Sequence, residues 1–277
     1  MKRNNWPETL LAWFDGSRRA LPWREDHPRN PYHVWVSEIM LQQTRTETVK
    51  GYFQRWMEQF PTIRDLAQAP EEQVLRAWQG LGYYSRARNL HKAARQVMAE
   101  WGGQLPRERK ALGSLAGIGA YTVGAILSMA FGEKIPAVDG NLLRVLSRLY
   151  GVEEDISGTQ GKKTITALAE EAIPGARPGD FNEALMDLGA EVCIPRHPRC
   201  EACPLTAFCQ AWKEGKTEIL PVKKPKAPQK ELAAACGLVV REGRYLFHKR
   251  PAKGMLASMW EFPMVLEPGA EKARSSL

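Results

Sequence analysis

Four cysteines lie within seventeen residues: Cys193, Cys200, Cys203 and Cys209, spaced C-x6-C-x2-C-x5-C, with Pro204 after the third. Four thiolates on one short loop can surround a compact metal centre, and both zinc and a cubane iron–sulfur cluster accept that donor set. Two-knuckle zinc sites carry two C-x2-C pairs separated by a longer loop. Here there is one such pair and every gap is short, which favours the cubane. Arg196, His197 and Arg199 interleave the thiols. They can offset thiolate charge, reach phosphates, or simply face solvent. A fifth cysteine, Cys236, stands in the run AAACGLVV and reads as a small core residue.

Two acids stand where acids are costly. Glu38 lies in VWVSEIMLQQT, among side chains that should face an interior. A buried carboxyl is raised in pKa, which suits a general acid. Asp139 follows the apolar stretch of IPAVDGNLLRV and precedes a helical pattern, so it reads as a helix N-cap that can also do chemistry. One acid to protonate a leaving group and one carboxylate to stabilise a sugar cation would cleave a glycosidic bond. A third feature is the turn in LAGIGAYTVGAI. Gly117 and Gly119 join two apolar segments there, and such a turn can present backbone N–H groups to a phosphate. A plain helical hairpin gives the same pattern. The cysteine loop and a net charge of +8 tip the reading towards nucleic acid.

The elements that must hold these groups are mostly helical. From Trp6 to about Trp212, apolar residues recur at spacings of three and four, broken by short Gly- and Pro-rich segments. About ten short helices are expected. The Pro- and Lys-rich stretch 221–231 reads as an extended linker. Residues 232–277 then change texture to short strands, with a turn at Glu242-Gly243 and a frayed end in EPGAEKARSSL. Hydrophobic content of 44% and charged content of 25% are those of a globular protein. No long apolar span and no secretory leader are visible, so a cytoplasmic, nucleoid-associated location is expected and a membrane partner is not.

With these pieces in order, the chain resembles the adenine DNA glycosylase family of the helix-hairpin-helix superfamily, which includes endonuclease III. The resemblance runs over roughly residues 6–265 and rests on LPWR (21–24), VWVSEIMLQQT (34–44), GLGYYSRARNLHKAA (80–94), LAGIGAYTVGAI (115–126), VDGNLLRVLSRL (138–149), FNEALMDLGAEVC (181–193) and the four-cysteine loop. It implies a mainly α fold: a six-helix barrel module at about 30–135, and a cluster module from about 1–29 together with 136–220. A partial Nudix-like segment follows at 232–277.

It also implies roles. Glu38 would protonate adenine and later activate water, and Asp139 would stabilise the oxocarbenium ion, with Tyr121 and Asn141 beside them. Arg24, Leu41, Thr44 and Glu183 would line the pocket for a flipped adenine. Gln43 and Tyr83 would stand at the lesion. Gly117 and Gly119 would hold the DNA backbone, and the four cysteines would hold a 4Fe–4S cluster. The expected partner is duplex DNA with adenine opposite 8-oxoguanine or guanine, bound by a monomer. Endonuclease III has a lysine where Tyr121 stands and lacks an acid where Glu38 stands. A tyrosine forms no Schiff base, so a monofunctional hydrolase is expected rather than a lyase. A non-catalytic DNA-binding protein is the remaining alternative. Two departures from the family pattern stand out. Ala116-Gly117 replaces a frequent Pro-Gly, and the Nudix-like segment is expected to be truncated before the loop that inspects 8-oxoguanine.

Overall fold

A computed structural model describes residues 5–26, 28–224, 231–251, 254 and 256–267. The chain divides into two compact units, one of residues 1–82 with 86–224 and the other of residues 83–85 with 225–277. The described residues hold twelve α-helices in chain order. They are α1 (Trp6–Ser17), α2 (Pro31–Leu41), α3 (Thr46–Gln59), α4 (Ile63–Gln68), α5 (Glu71–Ala77) and α6 (Ser85–Trp101). Then come α7 (Arg109–Ser114), α8 (Ala120–Phe131), α9 (Gly140–Tyr150), α10 (Thr159–Ala172), α11 (Pro178–Glu191) and α12 (Gln210–Lys213). The count exceeds the expected ten because some helices are too short to show a periodic pattern. Six-residue α4 owes its start to a capping box, in which Thr62 and Asp65 each satisfy the other's backbone N–H.

Two packed regions support the helices. In one, α1 lies against the later helices: Trp6, Leu10 and Phe14 bury themselves with Leu146 of α9 and Phe181 and Leu185 of α11. The first helix thus closes a core whose other walls come more than a hundred residues later. In the other, Trp35 of α2, Trp56 of α3 and Trp78 just after α5 are fully buried. Trp56 and Trp78 meet edge to face at 5.5 Å, a favourable aromatic geometry. Trp56 also donates to the Tyr32 hydroxyl, and that hydroxyl donates to the Phe60 carbonyl at 2.9 Å, so these two polar ends are paired, whereas the buried Trp35 Nε1 has no hydrogen-bond partner among the described residues.

Helix α2 starts cleanly. Asn30 caps it by accepting from the Tyr32 amide at 2.9 Å, and Pro31 occupies the first helical position, where no N–H is needed. Almost every side chain of α2 is buried, because it packs on α8 on one side and α3 on the other. That is why its sequence is apolar around nearly the whole helix.

Among the described residues, the C-terminal unit carries six short strands in three antiparallel pairs. β1 (Ala233–Cys236) pairs with β6 (Met264–Glu267), β2 (Val240–Arg241) with β3 (Arg244–Tyr245), and β4 (His248–Lys249) with β5 (Trp260–Glu261). The expected turn forms: Glu242 at φ 52° and Gly243 at φ 73° link β2 and β3 in a left-handed pair suited to a tight hairpin. One expectation fails here. Cys236 is exposed, not a core residue, because among the described residues β1 pairs with β6 alone and its positions alternate towards solvent. An apolar run of four to eight residues reads the same whether one face is covered or neither. The expected frayed end lies mostly outside the described residues.

Candidate active site

Glu38 sits on the buried face of α2 and is only 6% exposed. Because α2 packs on α8, the first turn of α8 brings Tyr121 across to it, and the Tyr121 hydroxyl donates a hydrogen bond to Glu38 Oε2. Burial pushes the Glu38 carboxyl up to about 7. The Tyr121 hydrogen bond opposes that rise, the Asp139 and Glu183 carboxylates add to it, and Arg24 opposes it. Burial also raises the Tyr121 phenol well above its ordinary value, with the Glu38 charge contributing, so it stays a donor.

Asp139 ends the extended segment before α9 and caps that helix, accepting from the Leu142 amide at 2.8 Å. Its other oxygen accepts from Asn141 Nδ2, also at 2.8 Å. Burial raises its pKa, while the Leu142 amide and the Asn141 side chain hold it down. The N-cap reading of Asp139 holds, and the cap fixes the carboxylate at the wall of an open cavity.

That cavity is about 610 Å³, within the range of small-molecule clefts. It brings together nine residues singled out from the sequence. Glu38, Tyr121, Asp139 and Asn141 line it, as do Arg24, Glu183, Leu41, Gln43 and Thr44. Below it runs an ion-pair network. Arg24 donates to Glu183 Oε1 at 3.1 Å and to Asp187 Oδ2 at 2.7 Å, and Arg29 holds the other Glu183 oxygen at 2.8 Å. Arg19 closes on Asp187, which is fully buried. Burial raises the Asp187 pKa, but bonds and charges from Arg24 and Arg19 outweigh it and hold the carboxyl below its usual range.

Gln43 follows α2 and adopts a left-handed backbone, φ 58°, which is uncommon outside glycine. Tyr83 does the same at φ 46° and is largely exposed. It is not among the residues lining the cavity. Nor are Gly117 and Gly119, which form the turn between α7 and α8. Gly117 has φ 76°, and a Cβ there would meet Asn89 Cβ at 2.7 Å. Gly119 caps α8 without a side-chain hydrogen bond, and a Cβ there would enter open space. The first amides of α8 therefore have no side-chain cap from this position and room in front of them.

The four cysteine thiols line one small cavity after α11, walled also by Arg148 and Trp212. Burial pushes the Cys203 thiol up to about 11, and burial likewise raises Cys200 and Cys209. Among the described residues no group of three or more His, Cys, Asp or Glu side chains meets at a single metal-ion position; the thiols ring a cavity instead. Buried Arg148 pins the loop, donating to the carbonyls of Ile194 at 2.7 Å and Pro195 at 3.0 Å and lying 3.4 Å from Cys193 Sγ.

Residues 36–174 match the HhH-GPD superfamily of base excision DNA repair proteins. The chain is 39% identical to the human protein "Adenine DNA glycosylase", in an alignment taking in 97% of this chain and 59% of that one. It is 34% identical to the adenine DNA glycosylase of Buchnera aphidicola subsp. Schizaphis graminum, over 92% of this chain and 74% of that one. The chain belongs to the adenine DNA glycosylase family of the HhH-GPD superfamily. Among solved structures, a thermostable thymine-DNA glycosylase superimposes with a TM-score of 0.68 and 32% identity, over 76% of this chain and 95% of that one. The helical unit therefore has the helix-hairpin-helix glycosylase fold. The chain spans less than two thirds of the human relative's length.

The structure adds residues to this cavity that the motifs did not single out. Arg19, Trp23 and Met186 line it, and Asp187 and Arg29 hold its floor. Asp187 had one visible signal, since it stands four residues after Glu183 on the same face of its helix, between apolar Met186 and Leu188. Arg144 is a further case. Its Nε donates to the Cys193 carbonyl at 2.7 Å, and NH2 donates to Asn141 Oδ1 at 2.8 Å and to the Gly189 carbonyl at 2.6 Å. One side chain thus joins the start of the cysteine loop to the amide that holds Asp139. Gly189 makes the approach possible, because a Cβ there would meet Asn141 Cβ at 2.7 Å.

Proposed function

We propose that this chain hydrolyses the N-glycosidic bond of adenine paired with 8-oxoguanine or guanine in duplex DNA. The observation that carries the reading is the single cavity holding Glu38, raised to about 7 and bonded to Tyr121, together with capped Asp139. A flipped adenine would sit between Glu38 and the Arg24–Glu183 pair. Protonated Glu38 donates its hydrogen to N7, the bond between C1′ and N9 breaks, and its electrons leave with the base. The Asp139 carboxylate faces the developing oxocarbenium ion. Ionised Glu38 then takes a proton from water as the water oxygen bonds C1′, which restores the acid. Asn141 orients Asp139. Tyr121 offers no amine for a Schiff base, so strand cleavage is not part of the cycle.

The hairpin amides after Gly119 would take a DNA phosphate. Gln43 and Tyr83 would stand at the lesion, with Leu41 and Thr44 against the flipped base. The four thiols suit a 4Fe–4S cluster: a soft all-cysteine donor set on one loop, around one cavity, with two arginines at its edge. When bound, such a cluster supplies a rigid cross-link for the loop. In this reading residues 30–135 form the barrel module, 1–29 with 136–220 the cluster module, and 232–277 part of a Nudix-like domain. The chain works as a monomer on chromosomal DNA in the cytoplasm. No helix among the described residues is long and apolar enough to cross a membrane.

Single-turnover base release tests the proposal, using duplexes with adenine opposite 8-oxoguanine, guanine and thymine, with alkali to reveal abasic sites. Release from the first two and not the third is the expected result. Folded protein that releases adenine from none of them overturns it, and a borohydride-trapped adduct on oxidised-pyrimidine DNA would replace it with a lyase.

A further inference from the structure

Arg86 lies in the first turn of α6, is 8% exposed, and points its guanidinium at the far end of α2. NH1 donates to the carbonyls of Ile39 at 2.9 Å, Met40 at 3.0 Å and Gln42 at 2.6 Å. NH2 donates to the carbonyls of Leu81 at 2.9 Å and Gly82 at 3.2 Å, and to Thr44 Oγ1 at 3.3 Å. The guanidinium also stacks over the Trp78 ring, 5.2 Å from its centroid. Ile39 and Met40 belong to the last turn of α2, whose carbonyls have no helical partner and carry the negative end of the helix dipole. A cation there is well placed. The same group reaches both sides of Gln43, through Gln42 and Thr44, and ties that loop to the Leu81–Gly82 turn.

We infer that Arg86 is a positioning residue that holds the Gln43 loop, in its left-handed conformation, at the end of the helix carrying Glu38. The inference rests on the excision reading, in which Gln43 stands at the lesion, where a side chain must fill the space left by the flipped base. Only a planar, forked donor can serve carbonyls on two segments at once. Lysine keeps the charge but, as a point donor, cannot span them. Arg86 therefore acts through Gln43 on base opening, not on bond cleavage.

The test is a double-mutant cycle on the full chain with Arg86→Lys, Gln43→Ala and the pair. Three quantities are measured: excision of adenine opposite 8-oxoguanine, excision of adenine opposite an abasic site, where little pairing resists opening, and the fluorescence rise of 2-aminopurine beside the target base. Each single variant should slow excision from the paired substrate and lower the fluorescence rise by about tenfold. The pair should be no slower than Arg86→Lys alone, and the defect should shrink to about twofold or less on the unpaired substrate, since little opening is left to assist. Equal defects on both substrates, or defects that multiply in the pair, overturn the inference. Arg86→Gln, a neutral amide that leaves no unpaired buried charge and cannot span both segments, gives the same comparison if Arg86→Lys does not fold. A wild-type chain that opens the base without excising it would sink the excision reading alone, and the fluorescence arm would still decide the role of Arg86.

Discussion

Tyr121, in the first turn of α8, donates its hydroxyl hydrogen to the carboxyl of Glu38 on α2, and this bond opposes the burial that raises Glu38 to about 7. The acid is thus poised near neutral pH by opposing causes. Removing the bond removes the larger of the two lowering ones and leaves Arg24. Tyr121→Phe is expected to move the alkaline limb of the single-turnover pH profile to higher pH, with the rate below pH 6 reduced less than at the optimum. An unmoved limb would mean that the hydroxyl does not tune Glu38.

Glu38→Gln should abolish base release by about a thousandfold or more while DNA binding persists. It should also change stability in a definite direction. The folded-state pKa of Glu38 lies above its ordinary value of 4.5, at about 7. Between those values the folded chain binds more protons than the unfolded chain, so stability falls as pH rises through the window. The neutral amide lacks this loss. Thermal melts should find Glu38→Gln more stable than the parent at pH 8, with the difference shrinking towards pH 4.5.

The two hairpin glycines predict different outcomes. Gly117 has a left-handed φ, and a Cβ there collides with Asn89, so Gly117→Ala should lower the melting temperature and DNA affinity together. Gly119 has open space where its Cβ would be. Gly119→Ala should leave the melt nearly unchanged and still weaken binding to undamaged duplex several-fold, with a shallower dependence on salt. Unaltered binding by Gly119→Ala would move the phosphate elsewhere.

Arg144 bonds both the Cys193 carbonyl and Asn141 Oδ1. Arg144→Met is expected to lower the single-turnover rate by about tenfold or more through Asp139, and to raise the loss of iron colour on standing. A variant with normal rate and normal colour would show that the link carries neither effect.

Much of this site was legible along the chain. Glu38 stands out because a carboxylate among Val36, Ile39 and Met40 is costly without a purpose. The cysteine loop is legible because its donors are close in sequence. Asp139 is legible because a cap is a local signal. Other features were not. Arg24 and Asp187 are separated by 163 positions, and Arg148 and the Leu220 carbonyl it bonds by 72, so nothing local announces their pairing. The left-handed backbone of Gln43 is invisible in its residue type, and the guanidinium that bonds the preceding Gln42 carbonyl comes from 44 positions beyond Gln42. Cys236 was misread because an apolar run does not say whether anything covers it.

By itself, the sequence determined which chemistry the chain has available: a buried acid, a capped carboxylate, four thiols and a glycine turn, each set by residues a few positions apart. Only the tertiary structure decided their relations. Packing of α2 on α8 put Tyr121 against Glu38, packing of α1 and α11 built the arginine–carboxylate floor, and the close approach at Gly189 joined the cysteine loop to Asp139. Those relations depend on helices meeting at van der Waals distance, a condition set by the packing of whole helical faces.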